Sequence, residues 1–158
     1  MGSGLWHWLL IPALGAAISL VVACGGDDEG NGAATDGTNA AEEYTAAITN
    51  PDDGATLDAG DIEVALDVGD FMVVDKLGQA PVTGEGHVHY YIDVAKIPTT
   101  PGKPAITDDE TTYHAEATTS FTWQGVRPGE HTFGVQLVNN DHTPLEPPIT
   151  DEIAVTVE

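Results

Sequence analysis

Histidine gives this sequence its clearest chemical signal. His87 and His89 are separated by one residue in a segment that alternates apolar and polar side chains. Residues i and i+2 of a strand lie on the same face, with Cα atoms roughly 7 Å apart. Two imidazoles at that spacing can converge on one ion at about 2.0–2.1 Å, the zinc–nitrogen distance. The pair therefore predicts a copper or zinc site, with two solvent-facing polar residues as the alternative.

A third ligand must come from a neighbouring strand or loop. His114 precedes a predicted strand, and His142 lies in a polar loop beside Asp141. His131 begins another strand on its core-facing parity, so it is either a ligand or a structural residue whose ring bonds nearby backbone. The candidate metal ligands are His87, His89, His114, His142 and His131.

Alternation also predicts where the histidine pair faces. Val88, Tyr90 and Ile92 have the apolar parity and should face the core. We therefore expect His87 and His89 to face outward or to line an open end of the fold, where a metal can enter.

Cysteine usage excludes several other chemistries. Cys24 is the only cysteine, which rules out an intrachain disulfide, four-cysteine zinc sites, iron–sulfur clusters and CxxCH haem attachment. Blue copper needs a thiolate that is free to bind. No Gly-x-Ser-x-Gly elbow occurs, and Ser120 has no identifiable base.

The first 23 residues have the pattern of an export signal. An uncharged apolar run from Leu9 to Ala23 ends in Val21-Val22-Ala23-Cys24. The run is shorter than the roughly 20 residues that span a bilayer. It resembles a bacterial lipoprotein signal peptide, which implies cleavage before Cys24, acylation of its sulfur and a membrane-anchored, extracytoplasmic domain. The alternative is an uncleaved anchor over residues 5–23, because residues 1–8 contain no Lys or Arg.

Residues 24–43 form a predicted flexible, acidic tether. They contain Gly, Asn, Asp, Thr and Ala without a hydrophobic period, so they cannot bury enough surface to offset their ordering entropy. A calcium loop at Asp27, Asp28 and Glu29 is the alternative, but the EF-hand spacing is absent. The domain then covers residues 44–158.

The charge balance is extreme. With 26 Asp+Glu and 4 Lys+Arg, the formal net charge is −22. Four basic side chains release few counterions from phosphates, so we expect no nucleic acid as a partner. The acidity is consistent with a solvated surface, a field that concentrates cations, or a halophilic source.

From residue 44 the period is two, which predicts an all-β domain. Alternating runs include Ile62–Val68, Val88–Val94, His131–Asn139 and Ile153–Val157, and turn residues separate them. Seven or eight short strands suggest an immunoglobulin-like antiparallel β-sandwich. The connection from Ala95 to Thr112 is expected to be a surface excursion.

Three sequence blocks carry a family resemblance. They are Gly84–Asp93 with Gly-His-Val-His, Arg127–Phe133 with Pro-Gly-Glu-His-Thr, and Asn140–Pro144 with Asp-His. Over about residues 84–158 the chain resembles a family of small exported bacterial domains of unknown function, which implies export and a β-rich fold. His87-Val88-His89 also resembles the copper-binding strand of copper/zinc superoxide dismutases, but their zinc-loop segment and disulfide are missing.

Three hypotheses follow. The first is a lipid-anchored module that binds copper or zinc for capture or delivery in the cell envelope. The second is a metal-free structural or interaction module, whose protein partner the sequence does not name. The third is a metalloenzyme with an open coordination position and a carboxylate from Glu85, Asp93 or Glu116 near the ion. The balance of signals favours a protein that is not an enzyme.

Overall fold

The computed structural model describes residues 43–158, whose regular structure is β-strand apart from one 3₁₀ turn at Glu110–Thr112. The predicted signal peptide, Cys24 and the tether up to residue 42 lie outside the described residues. Within residues 43–158, no helix is long and apolar enough to span a membrane. The strands are β1 Thr45–Asn50, β2 Thr56–Leu57, β3 Gly60–Gly69, β4 Met72–Val73, β5 Glu85–Ile92, β6 Tyr113–Glu116, β7 Ser120–Val126, β8 Gly129–Val138 and β9 Pro144–Val157.

These strands form two sheets. One has three strands in the order β1-β3-β7, and the other has the order β2-β9-β8-β5-β4, with β6 also paired to β5. The all-β prediction is therefore confirmed. The longer strands pair antiparallel as expected, whereas the short strands β2 and β4 pair in parallel with β9 and β5. Residues 74–84 return the chain to the end of the sheet where β4 began, as a parallel pair requires.

Strands β3, β5, β8 and the second half of β9 coincide with the alternating runs, whereas β2 was not predicted. Two residues cannot display a period of two, so Thr56–Leu57 gave no signal. β9 is also longer than the Ile153–Val157 alternation indicated, because prolines interrupt the pattern in its first half.

Both sheets contribute to one buried apolar cluster. The alternating residues of β3 and β5, including Val64, Val88 and Tyr90, have their side chains in this cluster, as their parity predicted. The cluster consists of Ile62, Val64, Leu66, Phe71, Val88, Tyr90, Trp123, Val126, Phe133, Val135, Leu137, Leu145, Ile153, Val155 and Val157. It holds one face of β5 away from water.

The opposite face of β5 is also buried. Residues 93–109, which we call the covering segment, contribute the buried side chains of Ile97 and Ala105. An ideal Cβ at Gly134 of β8 would lie 2.9 Å from Cδ1 of Ile97, so the segment packs directly on the sheet. The connection was expected to lie on the surface, and this is partly wrong. Burial of the apolar Ile97 side chain is favourable, and Gly134 leaves the room for it.

Gly86 allows another close approach. A Cβ at this position would overlap the backbone carbonyl of Val138, and it would also press on the ring of Phe71. Only glycine leaves the space that β5 and β8 need here, one residue before His87.

The two glycines provide a matched test of this packing. Gly86→Ala should lower the free energy of unfolding by about 2–3 kcal/mol, because the added methyl meets backbone that cannot move aside. Gly134→Ala should cost about 1 kcal/mol or less, because its one close contact is with the flexible end of the Ile97 side chain. Urea unfolding followed by tryptophan fluorescence measures both, and equal losses in the two variants would contradict the account.

Candidate metal centre

Three ring nitrogens converge on the face of β5 that lies beneath the covering segment, which we call the outer face. Nε2 of His87 lies 3.0 Å from Nε2 of His89 and 3.1 Å from Nδ1 of His142. Nε2 of His89 lies 3.0 Å from the same His142 nitrogen. The three atoms form a nearly equilateral triangle, which we call the three-histidine cluster. Within residues 43–158 it is the group of His, Cys, Asp or Glu side chains with the spacing to hold a metal ion.

Period two explains the first two members and a turn supplies the third. His87 and His89 share a parity on β5, and both are fully buried. His142 lies between β8 and β9 with φ of 67°, a left-handed conformation that histidine adopts more often than most residues. The backbone N–H of His142 donates to the carbonyl of Asn139 at 2.9 Å, and the backbone N–H of Asn139 donates to the carbonyl of Thr143 at 2.9 Å.

The covering segment fixes the tautomer of His89. Nδ1 of His89 lies 2.8 Å from the carbonyl oxygen of Ala105. A carbonyl only accepts, so Nδ1 carries the proton and Nε2 presents its lone pair to the cluster. The backbone N–H of Ala105 donates to the backbone carbonyl of His142 at 2.8 Å. Ala105 therefore bonds two members of the cluster through its backbone.

Tyr91 and Gln136 extend this support. The Tyr91 hydroxyl lies 2.7 Å from the Ala105 carbonyl oxygen and 2.8 Å from Oε1 of Gln136, so its one proton serves two acceptors. Burial, and secondarily the Tyr113 hydroxyl, raises the pKa of Tyr91, which keeps that proton in place. Groups of this kind behind a ligand orient it toward a metal.

Hydrogen bonding among the rings cannot satisfy the cluster. An imidazole nitrogen has one in-plane orbital, which holds either a proton or a lone pair. A hydrogen bond uses one of each, so three such nitrogens form at most one ordinary bond among themselves and leave one unpaired. Nδ1 of His87 is also buried and has no partner among the described residues. A cation among the three nitrogens would use all three lone pairs at once.

All three imidazoles favour the neutral form, which is the form that binds metal. Burial lowers the pKa of His87 to about 4, with a further contribution from the His142 charge. Burial likewise lowers the pKa of His89 to about 3, followed by the charge of His87. The pKa of His142 is lowered by burial, against an opposing effect of Asp141.

The exposure predicted for the pair was wrong. His87 and His89 were expected to face outward or line an open end, yet neither is exposed, because the covering segment and the 139–143 turn lie over them. Of the three, only His142 is partly exposed, so it is the member of the cluster nearest to solvent.

His131 lies apart from the cluster and has a structural role. Its Nδ1 is 2.8 Å from Oδ2 of Asp93, and its Nε2 is 2.9 Å from the carbonyl oxygen of Arg127. Oδ1 of Asp93 accepts the backbone N–H of Thr132 at 3.0 Å. Both nitrogens of His131 are therefore engaged, and the ring is not placed to bind the ion of the cluster.

His114 is also not brought to the cluster. It pairs with Tyr90 across β5 and β6, so it lies on the face of the sheet opposite to His89, where its side chain is exposed. Its ring stacks on Phe121 with centroids 4.4 Å apart. The strand register, which the sequence pattern did not reveal, is the reason that this candidate does not join the others.

The proposed carboxylates are engaged elsewhere. Glu85 accepts from Nζ of Lys76 at 2.7 Å and from Nδ2 of Asn140 at 3.0 Å. The Asp93 carboxylate bonds His131, and Oε1 of Glu116 lies 3.8 Å from Nδ1 of His114.

Sequence reasoning missed the groups behind the cluster. Tyr91 shares the parity of His87 and His89, so alternation contained a signal for it. Ala105 contributes only backbone atoms, and Gln136 comes from another strand, so neither could be found locally.

Comparison with known proteins identifies a family. A family model described as a domain of unknown function, DUF4399, matches residues 56–158. The chain belongs to the DUF4399 family. The match begins well before residue 84, where the sequence resemblance to a family of unknown function was first visible, and it includes all members of the three-histidine cluster.

Other comparisons add little for this DUF4399 protein. A search of the curated proteins finds no match. Among solved structures, a crystal structure of an engineered protein is similar over 73% of this chain and 20% of its own, with 12% identity and a TM-score of 0.40. The chain thus spans about a fifth of that protein, and a similarity at this level assigns neither a fold nor a function.

The buried histidines predict acid-sensitive folding of the metal-free DUF4399 domain. Their ordinary pKa of 6.5 in the unfolded chain falls to about 4 for His87 and about 3 for His89 on folding. Below pH 6.5 the unfolded chain therefore binds more protons, and the stability falls as the pH drops toward about 4. Each histidine contributes a slope of up to about 1.4 kcal/mol per pH unit in this window.

The matched comparison is His87→Gln, which cannot titrate. Urea unfolding in EDTA between pH 7.5 and pH 4.5 should show a shallower loss of stability in this variant than in the wild type. Carboxylate titration is common to both proteins and cancels in the difference. Parallel pH profiles would show that His87 does not resist protonation in the folded state.

Proposed function

We propose that this DUF4399 protein is an extracytoplasmic lipoprotein whose β-domain binds a divalent copper or zinc ion through His87, His89 and His142. The observation that carries the metal proposal is the triangle of ring nitrogens with sides of 3.0–3.1 Å. We take the two sheets around the shared core as the layers of an immunoglobulin-like sandwich, with the metal site on the outer face of β5.

The triangle has the dimensions that a metal ion requires. At a metal–nitrogen distance of about 2.0–2.1 Å, ligand nitrogens lie about 3.3 Å apart in a tetrahedron and about 2.9 Å apart on an octahedral face. The separations of 3.0–3.1 Å lie between these values. Imidazole is a ligand that suits both copper and zinc.

Electrostatics support cation capture. The three ligands are neutral, so binding requires no loss of a proton from a charged imidazole near neutral pH. The formal net charge of −22 gives the chain a field that raises the local concentration of cations. Together these features suit a module that captures or delivers metal in the cell envelope.

Isothermal titration of the full-length chain tests the metal site. A Cys24→Ser background removes the only thiol, which would otherwise bind copper or zinc. We expect one Cu²⁺ or Zn²⁺ per chain. His142→Ala should weaken binding by about 100-fold or more, because losing even a group behind a ligand costs about 10–100-fold.

His114→Ala is the matched control, because this imidazole lies on the other face of the sheet. It should bind metal like the parent chain. His142 lies in a turn rather than in the sheet, and circular dichroism verifies that its variant folds. Undiminished affinity in folded His142→Ala would show that the metal is not held by the three-histidine cluster, and a parent chain that binds neither ion would favour the metal-free alternative.

The lipoprotein proposal is supported by the sequence alone. The apolar run Leu9–Ala23 leads directly into Cys24, followed by Gly25-Gly26 and acidic residues. Diacylglyceryl transfer to the Cys24 sulfur would anchor the chain, since each buried CH₂ contributes about 0.8 kcal/mol.

Metabolic labelling with a fatty-acid analogue in a bacterial host tests the anchor. The wild-type chain should incorporate the label and fractionate with membranes, whereas Cys24→Ser should incorporate none. Membrane retention of an unlabelled wild-type chain would favour the uncleaved anchor over residues 5–23. Release of both proteins into the soluble fraction would refute anchoring.

A further inference from the structure

The cluster offers fewer ligands than copper or zinc requires. Among residues 43–158, the converging His, Cys, Asp and Glu side chains are His87, His89 and His142. Zinc in a closed structural site takes four protein ligands, and a site with three protein ligands keeps a position for water or substrate. The ligand set of this chain matches the open type.

Neighbouring carboxylates have other partners. Glu85 shares the face of His87 on β5, but Lys76 and Asn140 hold it. Oδ1 of Asp141 accepts the N–H of Thr143 at 3.1 Å and its hydroxyl at 2.7 Å. Asp141 nevertheless adjoins His142 in sequence. The experiment below therefore distinguishes a site with three histidine ligands from one that Asp141 completes as a fourth ligand.

The shape of the cluster places the open position. With sides of 3.0–3.1 Å, the triangle could hold an ion at about 2.0–2.1 Å from each nitrogen, and such an ion would lie about 1 Å out of their plane. The three histidines would therefore occupy one side of such an ion and supply no ligand on the other. His87 and His89 are fully buried, whereas His142 is partly exposed, so entry from solvent runs past His142.

We infer that the bound ion keeps an exchangeable coordination position, reached past His142, that takes water or a small anion from solution. This inference rests on the proposed metal binding. Neutral imidazoles leave the ion its full double charge, which favours a ligand with a negative charge or a lone pair. Burial of His87 and His89 beneath the covering segment favours a small ligand.

Cobalt substitution tests the inference in the full-length Cys24→Ser chain. Co²⁺ reports its ligands through visible d–d absorption, and azide is the probe anion. We expect azide to change the spectrum of the Co²⁺-loaded chain in a saturable, one-to-one titration with a millimolar midpoint. His114→Ala should give the same titration, and Co²⁺ in buffer alone supplies the baseline.

The outcomes separate this inference from the proposed function. Failure of Co²⁺, Cu²⁺ and Zn²⁺ to bind overturns both. Stoichiometric Co²⁺ binding with a spectrum that azide leaves unchanged overturns the open position and retains the metal site. If azide acts only after Asp141→Asn, then Asp141 closes the coordination shell of the wild-type chain and the inference is wrong.

Discussion

Burial of both faces of β5 is the constraint on which the rest of the structure depends. One face carries Val88 and Tyr90 into the core shared by the two sheets, and the other carries His87 and His89. A strand covered on one side only would leave the imidazoles in water with ordinary proton affinity. Covering the second face removes them from water and favours their neutral forms.

The covering segment packs on the sheet through Ile97 and orients the histidines through the backbone of Ala105. The Ala105 carbonyl accepts from His89, and the Ala105 N–H donates to the carbonyl of His142. The same peptide residue therefore orients a strand ligand and a turn ligand. Its own polar groups are satisfied in the process, which a buried connection requires. Gly134 leaves the space for Ile97 of the covering segment, and Gly86 leaves the space for the close approach of β5 and β8.

A second histidine site shows how the same residue type serves architecture. Asp93 follows β5 with φ of 53°, and its carboxylate bonds His131 and the N–H of Thr132 on β8. Asp93, at the end of the Gly84–Asp93 block, thus bonds His131 in the Arg127–Phe133 block. His87, in the first of these blocks, meets His142 in the Asn140–Pro144 block. The three blocks that suggested a family resemblance are in contact in space, and their histidines divide between a candidate metal centre and a structural corner.

Local sequence determined the features that depend on neighbouring residues. Period two placed His87 and His89 on one face, predicted the strands and separated the core parity from the polar parity. Tertiary structure decided which further histidine joined them. The register of β6 against β5 placed His114 on the opposite face from His89, Asp93 engaged His131, and the 139–143 turn brought His142 to the pair. Burial of the pair was likewise not local, since Ala105 is 16 residues from His89. Alternation describes a single strand, whereas register, turn placement and coverage depend on contacts between residues far apart in the chain.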